Sequence, residues 1–157
     1  MSSIKQTDIK IDRNVYLSAQ LRSNGSANIL AQHVVDALPI FKKFLNFSDN
    51  VKIRIANFKA KGTFGQYWAN DELVIVRPSR DVLRFFSHLA HELVHAEQYH
   101  ECRLSVVFAN GRYAKLWYGE EVRRTRYENL PWEKEAFARQ DEIARAVMEK
   151  FPFANYS

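Results

Sequence analysis

The chain has 157 residues, 46% hydrophobic and 13% aromatic, with 26% charged and a formal net charge of +5. That composition supports one packed domain and excludes a disordered, collagen-like or linker-rich chain, since Gly numbers only 5 and Pro only 4. No apolar run approaches the roughly 20 residues of a membrane helix, and the first residues offer no apolar stretch for export. A single cysteine, Cys102, cannot form an internal disulfide, so we expect an intracellular, reduced, cytoplasmic protein with no membrane partner.

Residues 1–13 are polar and read as loose or weakly extended, and 14–22 as a short helix. Ser23-Asn24-Gly25-Ser26 is a turn. Ile29, Leu30, Val34, Leu38 and Phe41 then recur at helical steps, with Pro39 expected to kink or divide the helix. Val51 to Ile55 alternates apolar and basic residues, a half-buried strand. A second strand follows Gly62, and Asn70-Asp71 is a hairpin turn into Leu73-Val74-Ile75-Val76, a strand buried on both faces. Ser79 is the expected N-cap of a helix over about 80–101, with Leu83, Phe86, Ala90 and Val94 as its apolar stripe. Asn110-Gly111 ends a short segment, and 115–130 reads as a loop with one short ordered piece. Pro131 opens a last helix that runs to about Lys150 and is stopped by Phe151-Pro152. The expected fold is α+β: N-terminal helices, a small, mostly antiparallel sheet, then two more helices, in one domain spanning 1–157.

Charge is uneven along this order. Residues 1–60 carry nine Lys and Arg against four Asp, while 61–157 carry fourteen of each sign. The excess and the cluster Arg123-Arg124-Thr125-Arg126 offer basic surface that a nucleic acid can meet, or that simply keeps the chain soluble.

The chemistry concentrates in His91-Glu92-Leu93-Val94-His95. Spacing of four in a helix stacks the two imidazoles on one face, one turn apart, where both can reach one zinc ion. Glu92 lies beside that point without being forced to ligate, and there it can take a proton from an activated water. A catalytic site needs a third protein ligand. His88 and Glu97 share the motif helix, Glu97 about 200° round from His95, and His100 lies only five residues past it. Glu133 and Glu135 open the last helix, which can cross the motif helix. Glu135 is favoured, because small Ala136 beside it permits close approach, and Glu133 is the alternative.

His91-Glu92-Leu93-Val94-His95-Ala96-Glu97-Gln98 followed by Pro131-Trp132-Glu133-Lys134-Glu135-Ala136 resembles the zincin metallopeptidases, most closely the gluzincin branch. The length, with Trp117-Tyr118-Gly119 and Tyr127, is similar to small metallopeptidases of bacteriophages and bacteria. The resemblance covers about 50–150. It implies a small twisted sheet on the motif helix, a glutamate-bearing helix beside it and an edge strand that pairs with an extended substrate, from 64–68 or 73–76. It implies one zinc per chain held by His91, His95 and a Glu, Glu92 as general base, a peptide or protein substrate, and a cytoplasmic setting that includes a phage-infected cell. Tyr127 is a candidate transition-state stabiliser, with Tyr118 and Tyr67 as lesser ones. The alternative is a non-catalytic or highly selective zinc-binding module, either nucleic-acid-associated like the SprT group or engaged in phage–host interaction.

Overall fold

The structure of the protein, a computed structural model, describes residues 3–150. It is α+β, with three helices and two sheets. The chain enters through strand β1 (Ile9–Asp12) and strand β2 (Val15–Leu17), with a 3-10 turn at Ala19–Leu21. Where the sequence suggests a short helix, Val15 and Leu17 alternate with Tyr16, and both are fully buried. That two-residue period is a strand's. The segment before it is not loose either. Asp8 receives Nε and Nη2 of Arg54 at 2.7 and 3.0 Å, with side chains 1% and 8% exposed.

Helix α1 (Gly25–Phe44) is capped by Asn24, whose Oδ1 accepts from Ala27 N at 3.0 Å. Pro39 does not divide it. The proline lies on the solvent face, where water can satisfy the carbonyl it frees. Strand β3 (Lys52–Ile55), strand β4 (Gly65–Trp68) and strand β5 (Leu73–Val76) complete a five-stranded sheet in the order β1-β2-β3-β5-β4. The sheet is mixed rather than mostly antiparallel: β2–β3 and β3–β5 are parallel, β1–β2 and β4–β5 antiparallel. The cause is α1, a crossover that returns the chain to lie alongside β2. β5 is buried on both faces as expected. Val74 and Val76 join the main core, and Leu73 and Ile75 pack with Ala56, Ile4 and Phe58 on the other side. β4 is left as an edge.

Helix α2 (Val82–His100) starts from Asp81, whose Oδ1 accepts from Arg84 N at 3.1 Å. Ser79 is two residues too early for the cap, and its Oγ accepts from Asp81 N instead. Phe86, Ala90 and Val94 are fully buried, and Leu83 packs against the same core. Next comes a hairpin the sequence reading passes over. Strand β6 (Leu104–Ala109) pairs with strand β7 (Arg112–Trp117), and β7 with strand β8 (Glu120–Glu121). Asn110 and Gly111 turn it with φ of 55° and 76°, the left-handed pair that a tight two-residue hairpin demands. Helix α3 (Pro131–Lys150) begins at its proline as expected. The expected stop at Phe151-Pro152 lies outside the described residues. α3 packs on α2, and Ala136, Ala144 and Val147 are fully buried in the core shared with α1 and the large sheet.

The Asp8–Arg54 pair ties the N-terminal segment to the sheet. Removing one partner leaves a buried charge unpaired. Asp8→Ala is expected to cost about 3 kcal/mol of folding stability, measured by urea unfolding; a loss below about 1 kcal/mol would mean that the pair behaves like a surface contact.

Candidate metal centre

α2 brings His91 and His95 to one face, with ring centroids 4.9 Å apart and planes at 82°. Both are buried. The first turn of α3 places Glu133 against them: its Oε1 lies 2.9 Å from His91 Nε2 and 3.2 Å from His95 Nε2. The other ring nitrogens meet amide oxygens. His91 Nδ1 is 2.7 Å from Gln140 Oε1, and His95 Nδ1 is 2.8 Å from Gln98 Oε1. The Gln98 amide is oriented by its own nitrogen, which donates to Trp132 O at 3.0 Å and Glu135 Oε1 at 2.8 Å. An amide oxygen only accepts, so His95 Nδ1 carries a proton. In the neutral ring, the Nε2 lone pair then faces a carboxylate oxygen. The Gln140 contact imposes the same tautomer on His91.

Converging lone pairs of that kind are a cation's donor set, with each ligating imidazole held by a second hydrogen bond at its far nitrogen. The ligand atoms of His91, Glu92 and His95 all lie within 4.8 Å of one another, so this buried group can hold a metal ion. Glu92 supplies a second sign. Its Oε2 is buried and has no hydrogen-bond partner among the described residues. Burial pushes the Glu92 carboxyl up, the two imidazoles and Lys115 pull it down, and Glu133 raises it; the net direction is upward. For His95, burial works downward, but the bond to Glu133 and the charges of Glu92 and Glu133 lift it above its ordinary value. For Glu133, burial works upward, but bonds from His91, His95 and Tyr127 hold it well below the usual carboxylate range.

The sequence preference between the two α3 carboxylates needs correcting. Glu135 is not at the imidazoles. Both its oxygens accept from Arg103 Nη1 at 2.8 Å, and Oε1 also accepts from Gln98. Glu133 takes the place facing the histidines. Glu97 faces away, accepting from Asn46 N, Arg103 and Arg139. His88 stacks on Phe64 with centroids 4.7 Å apart, and His100 is exposed at the end of α2. Tyr127 lies beside Glu133, and partial desolvation together with that carboxylate pushes its phenol up. Tyr118 is exposed against Trp117. Arg123, Arg124 and Arg126 are exposed, and Glu121 pairs with Arg112 rather than with them.

Three residues at the site are given no role by the sequence reading. Gln98 is three positions past His95 and Gln140 is seven past Glu133, both same-face helical spacings. Gly65 of β4 is the third. A Cβ built there would stand 2.9 Å from Glu92 Cγ, so the edge strand approaches α2 this closely only without a side chain.

Cavities open on both sides of Glu92. One, of about 290 Å³, includes Tyr67, Tyr99, Leu104, Lys115 and Trp132 in its walls. The other, of about 470 Å³, includes Phe64, His88, Phe137 and Gln140. Gly65, Gln66, Glu92 and Tyr127 line both. No helix among the described residues is long and apolar enough to cross a membrane.

Neither a scan against protein-family models nor searches of curated proteins and of solved structures finds a match to this chain.

The donor geometry sets an order of metal affinities. With zinc as the probe ion in a chelator competition, His95→Ala and Glu133→Gln should weaken binding by well over the roughly 10–100-fold that an outer-sphere partner contributes. Glu135→Gln should stay within that range. Equal losses in Glu133→Gln and Glu135→Gln would contradict the assignment.

Proposed function

We propose that the protein is a zinc-dependent metallopeptidase of the zincin type, holding one zinc per chain through His91, His95 and Glu133. One observation carries the reading: two imidazole Nε2 atoms converge on a single carboxylate, with the unpartnered Glu92 oxygen beside them. Two imidazoles and a carboxylate are a borderline donor set that suits zinc and leaves a coordination position open for chemistry. A structural site would be closed by a fourth protein ligand, and Glu92 sits where a proton acceptor belongs.

What a zinc ion supplies when bound is Lewis acidity toward a carbonyl oxygen and toward water. The chain's own residues do the rest. β4 is an edge strand of the large sheet and runs beside Glu92, so an extended peptide can add to it as a further strand. That pairing lays a peptide bond across the groove between the two cavities. Glu92 accepts the proton of the attacking water and passes it to the departing amine nitrogen, so the carboxyl ends the cycle as it began. Tyr127, beside Glu133 and lining both cavities, is placed to donate to the developing oxyanion. The single cysteine accords with a reducing, cytoplasmic setting.

Glu92→Gln tests the roles directly. The variant should keep its zinc and its fold, while cleavage of a peptide pool should fall by roughly 10²–10⁴-fold. Loss of metal together with activity would make Glu92 a ligand. A wild-type protein that holds zinc and cleaves nothing would favour the non-catalytic module.

A further inference from the structure

Resting on the peptidase reading, we propose that Lys115 makes the cavity beside Glu92 select substrates with a carboxylate next to the scissile bond. Lys115 lies midway along β7, opposite Val106. Its ammonium stands 5.6 Å from the Trp132 ring centroid, so the side chain is held over the residue that precedes Glu133. It is in the wall of the 290 Å³ cavity that also contains Glu92, His95 and Glu133.

Most other cations around the site are already engaged, and Arg84, 5.4 Å from the Phe64 ring centroid, lines neither cavity. Arg103 is shared among Glu97, Glu101 and Glu135, and Arg139 binds Glu97. Arg77 donates to three backbone carbonyls at the far end of the groove. Lys115 forms no ion pair among the described residues. The only carboxylates lining its cavity are Glu92 and Glu133, and both belong to the centre, where a bound divalent ion would balance them. An entering group therefore meets an aromatic wall with one uncompensated positive charge. Such a wall fits a short carboxylate: the aromatic rings cover its methylene groups and the ammonium meets its oxygens.

The cavity on the other side of Glu92 differs in kind. No Lys or Arg lines it, and Phe64 and Phe137 supply apolar surface. The groove thus prefers an anionic group on one side of the bond and an uncharged one on the other. Two chemical sources supply the anion, an Asp or Glu side chain within a chain and the free carboxylate at a chain's end.

The test uses full-length Glu92→Gln loaded with zinc, and fluorescein-labelled octapeptides read by anisotropy. Three peptides are amidated and carry Glu, Gln or Lys at the centre; a fourth has neutral side chains and a free C-terminal carboxylate. We expect the Glu peptide to bind about fivefold to tenfold tighter than the Gln peptide, with the Lys peptide weakest. Lys115→Glu should invert that order, and Lys115→Met should erase it while leaving the circular dichroism spectrum and zinc content unchanged. If only the free carboxylate gains affinity, and loses it in Lys115→Met, the proposal stands with the chain end as source. Equal binding of all four peptides, or an order unmoved by Lys115→Glu, overturns it. Wild-type cleavage rates separate this from the peptidase reading. Cleavage without charge preference sinks the selectivity alone, whereas Lys115-dependent binding without any cleavage sinks the peptidase alone.

Discussion

His91 and His95 aim Nε2 at the one carboxylate of Glu133 across the interface between α2 and α3. Their far nitrogens are committed to Gln140 and Gln98. Three electron-rich atoms in a buried space repel unless something positive lies among them. A proton on an imidazole does this, which is why His95 is lifted above its ordinary value. A metal ion does it with ligands already oriented. Much else in the molecule serves to keep these atoms in place: the packing of two long helices, the buried Gln98 and the first-turn position of Glu133.

Around that point a second set of charges fixes the frame. Arg103 clamps Glu135, and Glu135 orients the Gln98 amide. Arg103 and Arg139 both reach Glu97, which also accepts from the backbone of Asn46 just past α1. The ends of α1, α2 and α3 are thereby joined through carboxylates that would otherwise compete for a cation. This is the physical reason Glu135 is unavailable to the imidazoles although it lies two residues from Glu133. On the opposite flank, Gly65 lets the edge of the large sheet come within contact of Glu92, so β4 and the Glu92 carboxylate are neighbours.

The sequence makes the helices and the histidine pair legible, because periodicity of three and four is a property of one segment. α2 and α3 fall close to their expected ranges, and α1 runs unbroken only because Pro39 faces solvent. The strands at each end of the order are harder to read. β2 is three residues long, and its partners are remote in sequence. The β6–β7 hairpin has almost no buried residue besides Leu104, so no alternation marks it. Its signal is the Asn110-Gly111 pair alone. Which α3 carboxylate faces α2 depends on how the helices cross. One clue was present: Glu133, Ala136 and Gln140 share a helical face, and Ala136 is the small residue a close crossing needs. Glu135 is about 200° round from Glu133 and falls outside that face.

The central claim is that this arrangement is a zinc centre built from two imidazoles and the Glu133 carboxylate. X-ray absorption at the zinc edge, on protein reconstituted with one equivalent, tests it most directly. The account predicts a shell of nitrogen and oxygen at about 2.0–2.1 Å with the outer scattering of two imidazoles. Sulfur scattering at about 2.3 Å, which would place the ion at Cys102, or a shell without imidazole would contradict it.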